Sequence, residues 1–308
     1  MSELHLILNT PEDRDRWARA LQRELPAVRI HADDREQPCD YALLWQPPED
    51  VISHAHSLKA IIALGAGVDS ILKLPGLPEG VPLVRIEDSG MAAEMAEYGV
   101  YAVLQEFRQF RWYEAEQRKR RWSPRPRQSH ESCPVGVLGL GVLGERTAGL
   151  IASLGFPVYG WSRTPREIAG VRCRSGEEGL VEVLSESRVL IVLLPLTAET
   201  RGLLDAKRLE LLPRGATLVN LARGPLVREN DLLQALDSGH VGHAFLDVFE
   251  TEPLPVEHPL WTHRNVTVTP HIAAQATVES MAEQVAAKIR SLEAGNPVTG
   301  VVDRARGY

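Results

Sequence analysis

The chain has 308 residues, of which 44% are hydrophobic and 24% charged, and its formal net charge is −7. A chain of this length usually forms more than one domain, and the composition is that of a globular protein. The mildly acidic balance gives no electrostatic reason to expect nucleic acid or an anionic membrane as a partner.

The cysteines and the apolar segments indicate in which cellular compartment the protein is located. Cys39, Cys133 and Cys173 lie far apart and in no metal-ligand spacing. We therefore predict neither a disulfide framework nor a metal site, and we expect a cytoplasmic protein. The first residues show no signal-peptide pattern, and no apolar run approaches the roughly 20 residues that cross a bilayer.

The first hundred residues alternate apolar runs with helical patterns. A helical stripe is formed by Trp17, Ala18, Leu21 and Leu25. Four apolar runs predict strands, at 4–9, 41–45, 58–65 and 81–86. Strands that alternate with helices are typical of a parallel sheet.

Two further segments precede the second alternating series. Residues 91–117 contain no proline and predict one long helix. Residues 119–134 are basic and contain prolines, and we interpret them as an exposed loop and a domain boundary. A phosphate-binding patch is the alternative interpretation of this basic cluster.

The second series begins at residue 135 and consists of nearly continuous apolar runs, as in a parallel sheet covered on both faces by helices. The predicted strands are 135–140, 157–161, 189–195, 216–222, 243–248 and 266–271. A helix at 144–155 follows the first strand, and a last helix at 276–295 is expected to return to the first domain.

The pattern predicts two Rossmann-like/flavodoxin-like doubly wound α/β domains with the active site in the cleft between them. We expect residues 1–98 and 280–308 to form a discontinuous substrate-binding domain. Residues 99–279 are then the dinucleotide-binding domain.

A glycine motif marks the expected cofactor site. Gly139, Gly141 and Gly144 form a G-x-G-x-x-G pattern between the strand at 135 and the following helix. The first glycine permits a tight turn, the second lets a pyrophosphate approach the backbone, and the third allows close helix–strand packing. The helix N-terminus, with Val142 and Leu143, offers N–H groups to the phosphates.

The end of the next strand indicates which nicotinamide cofactor is bound. An acidic residue there would bind the adenosine ribose, but this chain has Ser162, Arg163 and Thr164. A guanidinium and two hydroxyls suit a 2′-phosphate, so we predict that NADP(H) is preferred and that NAD(H) is possible. The alternative is that Arg163 only stacks on adenine and the protein does not discriminate.

Three ionisable residues follow successive strands of the second series: Arg223, Glu252 and His271. Ligands bind beyond the carboxyl ends of parallel strands, so we expect these residues to converge on the cofactor. Hydride attack on a ketone requires a proton donor, for which His271 is the candidate, with Glu252 as its partner. Arg223 is the candidate for gripping the carboxylate of a 2-oxo acid and polarising its ketone.

The motifs VGVLGLGVLG, LLPLTAETRGLL, LVNLARGPLV, FLDVFETEPLP and VTPHIAA together resemble the D-isomer-specific 2-hydroxyacid dehydrogenases. The resemblance implies that Arg223, Glu252 and His271 are catalytic and that Asp247 lies near the nicotinamide carboxamide. The other cofactor-binding residues taken from these motifs are Leu194, Pro195, Thr200, Leu221 and Ala222.

Further segments, including YALLWQPP, LGAGVDSIL, EDSGMAAEMAEY and VDRARGY, are similar to the glyoxylate/hydroxypyruvate reductase A group of this family. This implies a small 2-oxo acid substrate, NADPH and a homodimer formed through the segment 91–117. It also implies that the backbone of Ala66, Gly67 and Val68 binds the substrate carboxylate. Trp45 either caps the substrate pocket or is a buried strand-end tryptophan.

Two other functions stay open at this point. One is reduction of a bulkier 2-oxo acid such as phenylpyruvate. The other is a non-catalytic NAD(H)-sensing protein, since some relatives of this fold act as transcriptional corepressors.

Overall fold

The computed structural model describes residues 2–8, 11–32, 39–45, 47–48, 57–65 and 67–308, with residues 11 and 12 through their backbone alone. Two compact units are present, Met1–Gly90 with Ala276–Tyr308, and Met91–Gln275. Each contains a parallel sheet with helices, which confirms the predicted class of two doubly wound α/β domains. Within the described part of the chain, no helix has the length and apolar character that a membrane span needs.

The first unit is built on a five-stranded parallel sheet. Its strands are β1 (Ser2–Leu8), β2 (Val28–His31), β3 (Tyr41–Trp45), β4 (Ala60–Ala63) and β5 (Leu83–Arg85), and its helices are α1 (Pro11–Glu24) and α8 (Val278–Glu293). The strand order β2-β1-β3-β4-β5 is that of flavodoxin-like sheets. Leu4, Leu21, Val285 and Ile289 are fully buried in one cluster, so α1 and α8 cover the same face.

The second unit contains a seven-stranded parallel sheet. Its strands are β6 (Val135–Leu138), β7 (Val158–Trp161), β8 (Val171–Arg174), β9 (Val189–Val192), β10 (Ala216–Asn220), β11 (Val241–Leu246) and β12 (Val266–Val268). Its helices are α2 (Met91–Phe107), α3 (Phe110–Arg118), α4 (Val142–Ser153), α5 (Gly176–Glu186), α6 (Ala206–Glu210) and α7 (Glu229–Asp237). The order β12-β11-β10-β9-β6-β7-β8 reverses direction between β6 and β9, the switch point at which Rossmann folds bind dinucleotides.

The two strands that the sequence did not predict, β2 and β8, lie at sheet edges. Their sequences, VRIH and VRCR, alternate apolar and polar residues over only four positions. Edge strands are covered less completely than central strands, so they lack the continuous apolar run that predicted their neighbours.

The boundaries between the two units differ from those expected at 98/99 and 279/280. The first lies at 90/91, because α2 continues unbroken through residue 98 and buries Met95, Ala102 and Val103 in the second unit. The second lies at 275/276, just before the Thr277 side chain caps α8. The basic segment 119–134, interpreted as a boundary, lies inside the second unit.

The prediction of one helix over 91–117 is wrong, because the chain breaks at Gln109, which has a left-handed φ of 56°. Glu106, in the last turn of α2, accepts hydrogen bonds from Arg111 (2.8 Å), Arg188 (2.6 Å) and Thr217 (3.1 Å). These bonds tie the end of α2 to the sheet, and α3 starts as a separate helix. Because Arg188 and Thr217 are remote in sequence, the local pattern does not reveal this break.

The close approach of α2 to α4 depends on Gly99. A Cβ atom on Gly99 would lie 2.9 Å from Thr147 Cγ2, a distance that real Cβ contacts do not reach. Thr147 is itself fully buried on α4. A second helical glycine, Gly149 on α4, has nothing within 4 Å of its Cβ position.

The different surroundings of Gly99 and Gly149 predict opposite effects of alanine on the stability of the protein. Gly99→Ala should lower the free energy of unfolding by about 1–3 kcal/mol, because the packed helices must separate. Gly149→Ala should raise it by about 0.5–1 kcal/mol, because alanine favours the helix and meets no neighbour. Urea denaturation measures both values. A stabilising effect of both alanines would contradict the close packing at Gly99.

Candidate active site

The turn after β6 has the geometry that the glycine motif predicts. Gly139 has a φ of 99°, and a Cβ atom there would lie 2.5 Å from the carbonyl oxygen of Leu193. A Cβ atom on Gly144 would lie 1.7 Å from the Gly139 carbonyl oxygen, so helix and turn are packed backbone to backbone. At Gly141 nothing lies within 4 Å of the Cβ position. The surface above Gly141 is therefore accessible to a ligand that must approach the backbone.

Helix α4 begins directly at this turn, with Gly141 as its N-cap residue. The first N–H groups of a helix have no intrahelical partner and carry partial positive charge. In α4 these groups belong to Val142, Leu143 and Gly144. The turn and the helix start together fit a pyrophosphate.

The turn after β7 carries Arg163 and lies at the same carboxyl edge of the sheet as the glycine turn, because β6 and β7 are parallel neighbours. Ser162 is buried, and its hydroxyl donates to the carbonyl oxygen of Thr164 at 2.7 Å. The side chain of Arg163 is partly exposed and lies 3.7 Å from the carboxylate of Glu199. Ser162 thus shapes the turn, and Arg163 supplies the charge that would meet a phosphate.

Further residues assigned to the cofactor site follow β9 and β10. Thr200 donates a hydrogen bond to the carbonyl oxygen of Pro195 at 2.7 Å and accepts one from the Thr197 N–H at 2.8 Å. Leu194 and Leu221 are buried in the hydrophobic core. Ala222 is partly buried and packs against the same core.

Three neighbouring strands of the second unit lead to the three candidate catalytic residues. Arg223 follows β10, Glu252 follows β11 and His271 follows β12, and these strands are adjacent and parallel. Their carboxyl ends therefore meet at one edge of the sheet, as the sequence predicts.

His271 and Glu252 form a direct pair in which His271 Nδ1 lies 2.7 Å from Glu252 Oε2. The other carboxylate oxygen of Glu252 accepts the N–H of Phe249 at 2.9 Å. Burial alone would raise the pKa of Glu252, but the hydrogen bonds from His271 and Phe249 and the charge of Arg223 hold this pKa below its ordinary value. The Glu252 side chain is therefore an anion beside the imidazole throughout the neutral pH range.

The backbone around Arg223 is fixed by Asn220 and Gly224. Asn220 is buried and donates its amide to the carbonyl oxygen of Arg223 at 2.9 Å. A Cβ atom on Gly224 would lie 1.9 Å from the carbonyl carbon of Phe249. Only glycine lets the Arg223 turn approach the segment that carries Glu252 so closely.

Sequence reasoning missed three groups that shape this site: Asn220, Tyr98 and Thr269. Tyr98 on α2 lies 2.8 Å from the hydroxyl of Thr269, two residues before His271. Thr269 in turn donates to the carboxylate of Asp247 at 2.6 Å. Asn220 stands within the motif LVNLARG and could have been noticed there. Tyr98 carries no comparable local signal, because its partner is 171 residues away.

The residues assigned to substrate binding in the first unit are only partly described. Ala66 lies outside the described residues, Gly67 is partly exposed, and the Val68 side chain is buried in the core. Trp45 ends β3 with 44% of its surface exposed, so its interpretation as a buried strand-end residue is wrong. Among the described residues, no group of three His, Cys, Asp or Glu side chains could hold a metal ion.

Comparison with known proteins identifies the family. The family model described as "D-isomer specific 2-hydroxyacid dehydrogenase, NAD binding domain" matches residues 100–273. The chain belongs to the D-isomer-specific 2-hydroxyacid dehydrogenase family. It is an oxidoreductase with a dinucleotide-binding domain, and the family resemblance inferred from the motifs is confirmed.

Curated relatives and solved structures extend the match over the whole chain. Proteins named glyoxylate/hydroxypyruvate reductase A from Yersinia enterocolitica and Salmonella newport are 45% and 47% identical, over 95% of this chain and 96% of theirs. A dehydrogenase of this family from Xanthobacter autotrophicus, solved with NADPH, is 43% identical with a TM-score of 0.93, covering 100% of this chain and 99% of that one. An NADPH-dependent glyoxylate/hydroxypyruvate reductase from Sinorhizobium meliloti, solved with NADP, is 37% identical with a TM-score of 0.93, covering 100% of both chains. The predicted group is thereby confirmed.

Proposed function

We propose that this protein reduces small 2-oxo acids with NADPH, converting glyoxylate to glycolate and hydroxypyruvate to D-glycerate. The observation that carries the proposal is the 2.7 Å pair of His271 and Glu252, located beyond the strands of a sheet whose first strand leads into a dinucleotide-binding turn. The relatives named as glyoxylate/hydroxypyruvate reductases, and those solved with NADPH or NADP, support this substrate class and cofactor.

His271 is the proton donor in the proposed reaction. A bound nicotinamide would supply a hydride to the carbonyl carbon next to the substrate carboxylate, and negative charge would develop on the carbonyl oxygen. With Nδ1 directed to Glu252, the Nε2 atom of His271 is left for the substrate oxygen. The anionic partner fixes the orientation of the ring and lies beside it while the ring donates its proton to the developing charge.

Arg223 is the residue that binds the substrate carboxylate. A guanidinium matches a carboxylate with two parallel hydrogen bonds and remains charged at every working pH. Its Nη1 atom donates to the carbonyl oxygen of Ala222 at 2.7 Å, which orients the group within the turn after β10. In the first unit, the backbone of Gly67 and Val68 and the exposed Trp45 are the proposed remaining substrate contacts.

Backbone N–H groups, rather than side chains, would hold the pyrophosphate of the cofactor. The turn at Gly139 and Gly141 and the start of α4 would receive the phosphates, and Arg163 would bind the 2′-phosphate. Asp247 uses three acceptor positions for hydrogen bonds from Thr269, Ile272 and Ala273. A carboxylate offers about four such positions, so one remains for the nicotinamide carboxamide.

We expect a homodimer in the cytoplasm, formed through α2 and α3. These helices carry large exposed aromatic side chains, Tyr101, Phe110 and Tyr113, and such residues are enriched in protein interfaces.

The substrate is tested by measuring kcat/KM for glyoxylate, hydroxypyruvate, pyruvate and phenylpyruvate with NADPH, followed at the nicotinamide absorbance. We expect the two smallest polar acids, glyoxylate and hydroxypyruvate, to be the best substrates. A higher value for phenylpyruvate would show that the pocket accepts bulkier acids. Tight NADPH binding with no turnover of any acid would instead indicate a cofactor-sensing protein.

The cofactor preference is tested at Arg163. Arg163→Ala should raise KM for NADPH about tenfold to hundredfold, because a charge-assisted contact to the 2′-phosphate is lost. KM for NADH should change less than about threefold, because NADH carries no phosphate there. Arg166→Ala is the matched control, since Arg166 is an exposed arginine on the same loop and pairs with Glu145 at 3.6 Å. Equal effects of the two variants on NADPH would contradict a specific role for Arg163.

The role of Glu252 is tested by Glu252→Gln. The amide keeps the shape of the side chain but no longer stabilises a positive imidazole, so we expect kcat/KM for reduction to fall about tenfold or more near neutral pH. The difference between the two proteins should shrink as the pH falls through the lowered pKa of Glu252, because the protonated carboxyl of the parent enzyme is then as neutral as the amide. A pH–rate profile of both proteins measures the effect. Parallel profiles would show that Glu252 does not act on the proton donor.

A further inference from the structure

His271 occupies a backbone conformation that its surroundings must enforce. Its φ of 55° is left-handed, a region that non-glycine residues rarely adopt. The side chain is 45% exposed, so packing around the ring does not hold it. The position of the proposed proton donor therefore depends on the hydrogen bonds of the segment around it.

Asp247 provides those bonds. It is 1% exposed, and its carboxylate accepts the Thr269 hydroxyl at 2.6 Å and the N–H groups of Ile272 at 2.9 Å and Ala273 at 2.8 Å. Its carbonyl oxygen accepts the N–H of His271 itself at 2.8 Å. Asp247, which directly follows β11, thus fixes the backbone on both sides of His271.

Tyr98, on helix α2, extends these hydrogen bonds by one further bond to Thr269. The single hydroxyl proton of Thr269 is directed to Asp247, so the phenol of Tyr98, 2.8 Å away, must donate to the Thr269 oxygen. Burial raises the pKa of Tyr98, its bond to Thr269 lowers it in part, and the charge of Asp247 raises it further. The phenol consequently keeps its proton and remains a donor at every pH at which the enzyme would work.

We propose that Tyr98 is a positioning residue for His271, acting through the hydroxyl of Thr269 and the carboxylate of Asp247. Successive hydrogen bonds in such a chain strengthen one another, so the Tyr98 phenol tightens the bond by which Thr269 holds the His271 segment. The inference rests on the proposed function, in which His271 donates the proton. It assigns to α2 a part in the reduction that the three residues beyond the strands do not reveal.

The first test is Tyr98→Phe, which removes only the phenolic oxygen. We expect kcat for glyoxylate reduction to fall about threefold to tenfold, the value of one neutral hydrogen bond, while the Kd of NADPH changes less than about twofold. Tyr159→Phe is the matched control, because Tyr159 is buried on β7 in the same unit and its hydroxyl accepts a bond from Arg172 at 2.5 Å. If Tyr98→Phe and Tyr159→Phe have the same kcat, the proposal is wrong.

A double-mutant cycle separates positioning from a general structural role. Thr269→Val breaks both links and should reduce kcat more than Tyr98→Phe, whereas Thr269→Ser keeps the hydroxyl and should recover most of that loss. Because Tyr98 acts through Thr269, adding Tyr98→Phe to Thr269→Val should cause no further loss. Additive losses in the double variant would overturn the proposed chain.

His271→Ala distinguishes the two levels of the proposal. Activity that survives in His271→Ala would contradict the assignment of His271 as proton donor, and the hydrogen bonds from Tyr98 to its segment would then have no role in the reaction. An inactive His271→Ala variant combined with an unaffected Tyr98→Phe variant would overturn the role of Tyr98 alone. Thermal unfolding of each variant verifies that losses of kcat occur in folded protein.

Discussion

The geometry of the site depends on the hydrogen bonds to the buried carboxylate of Asp247. Burying a charged group costs several kcal/mol unless hydrogen bonds replace its water. Here a hydroxyl and two N–H groups do so, and all three belong to the segment Thr269–Ala273. If that segment moved away, the buried carboxylate would lose these hydrogen bonds and the free energy of the structure would rise. A left-handed His271 is tolerated because release of the segment would leave the carboxylate without its donors.

Close backbone contacts at three glycines also fix the turns that surround the site. Gly139 and Gly144 bring the start of α4 against the turn after β6, and Gly224 brings the Arg223 turn against Phe249. At each of these glycines a Cβ atom would lie closer than 3 Å to backbone. Backbone contacts are stiffer than side-chain contacts, since no rotamer change can relieve them. The charged side chains thus project from turns whose positions are set before any ligand binds.

The sequence predicts those parts of the molecule that depend on local chemistry. Interior strands such as β4 and β9 are continuous apolar runs, and the glycine turn is recognised from its spacing and its place between a strand and a helix. Arg223, Glu252 and His271 are found because they follow such strands. Contacts between remote segments are not visible in this way. Edge strands, the break at Gln109 and the partnership of Tyr98 with Thr269 all require knowledge of which segments meet in space.

In the proposed site, the groups assigned to the reaction are distinct from the groups that hold them in place. His271 and Glu252 are partly exposed, as side chains that meet a substrate must be, with 45% and 34% of their side-chain surfaces accessible. Exposed ion pairs hold geometry weakly, because water and salt compete for them. Precision in the 2.7 Å contact must then come from the backbone on which the two side chains stand. Phe249 N–H fixes Glu252, and Asp247 fixes the segment of His271, so buried hydrogen bonds support the two accessible side chains.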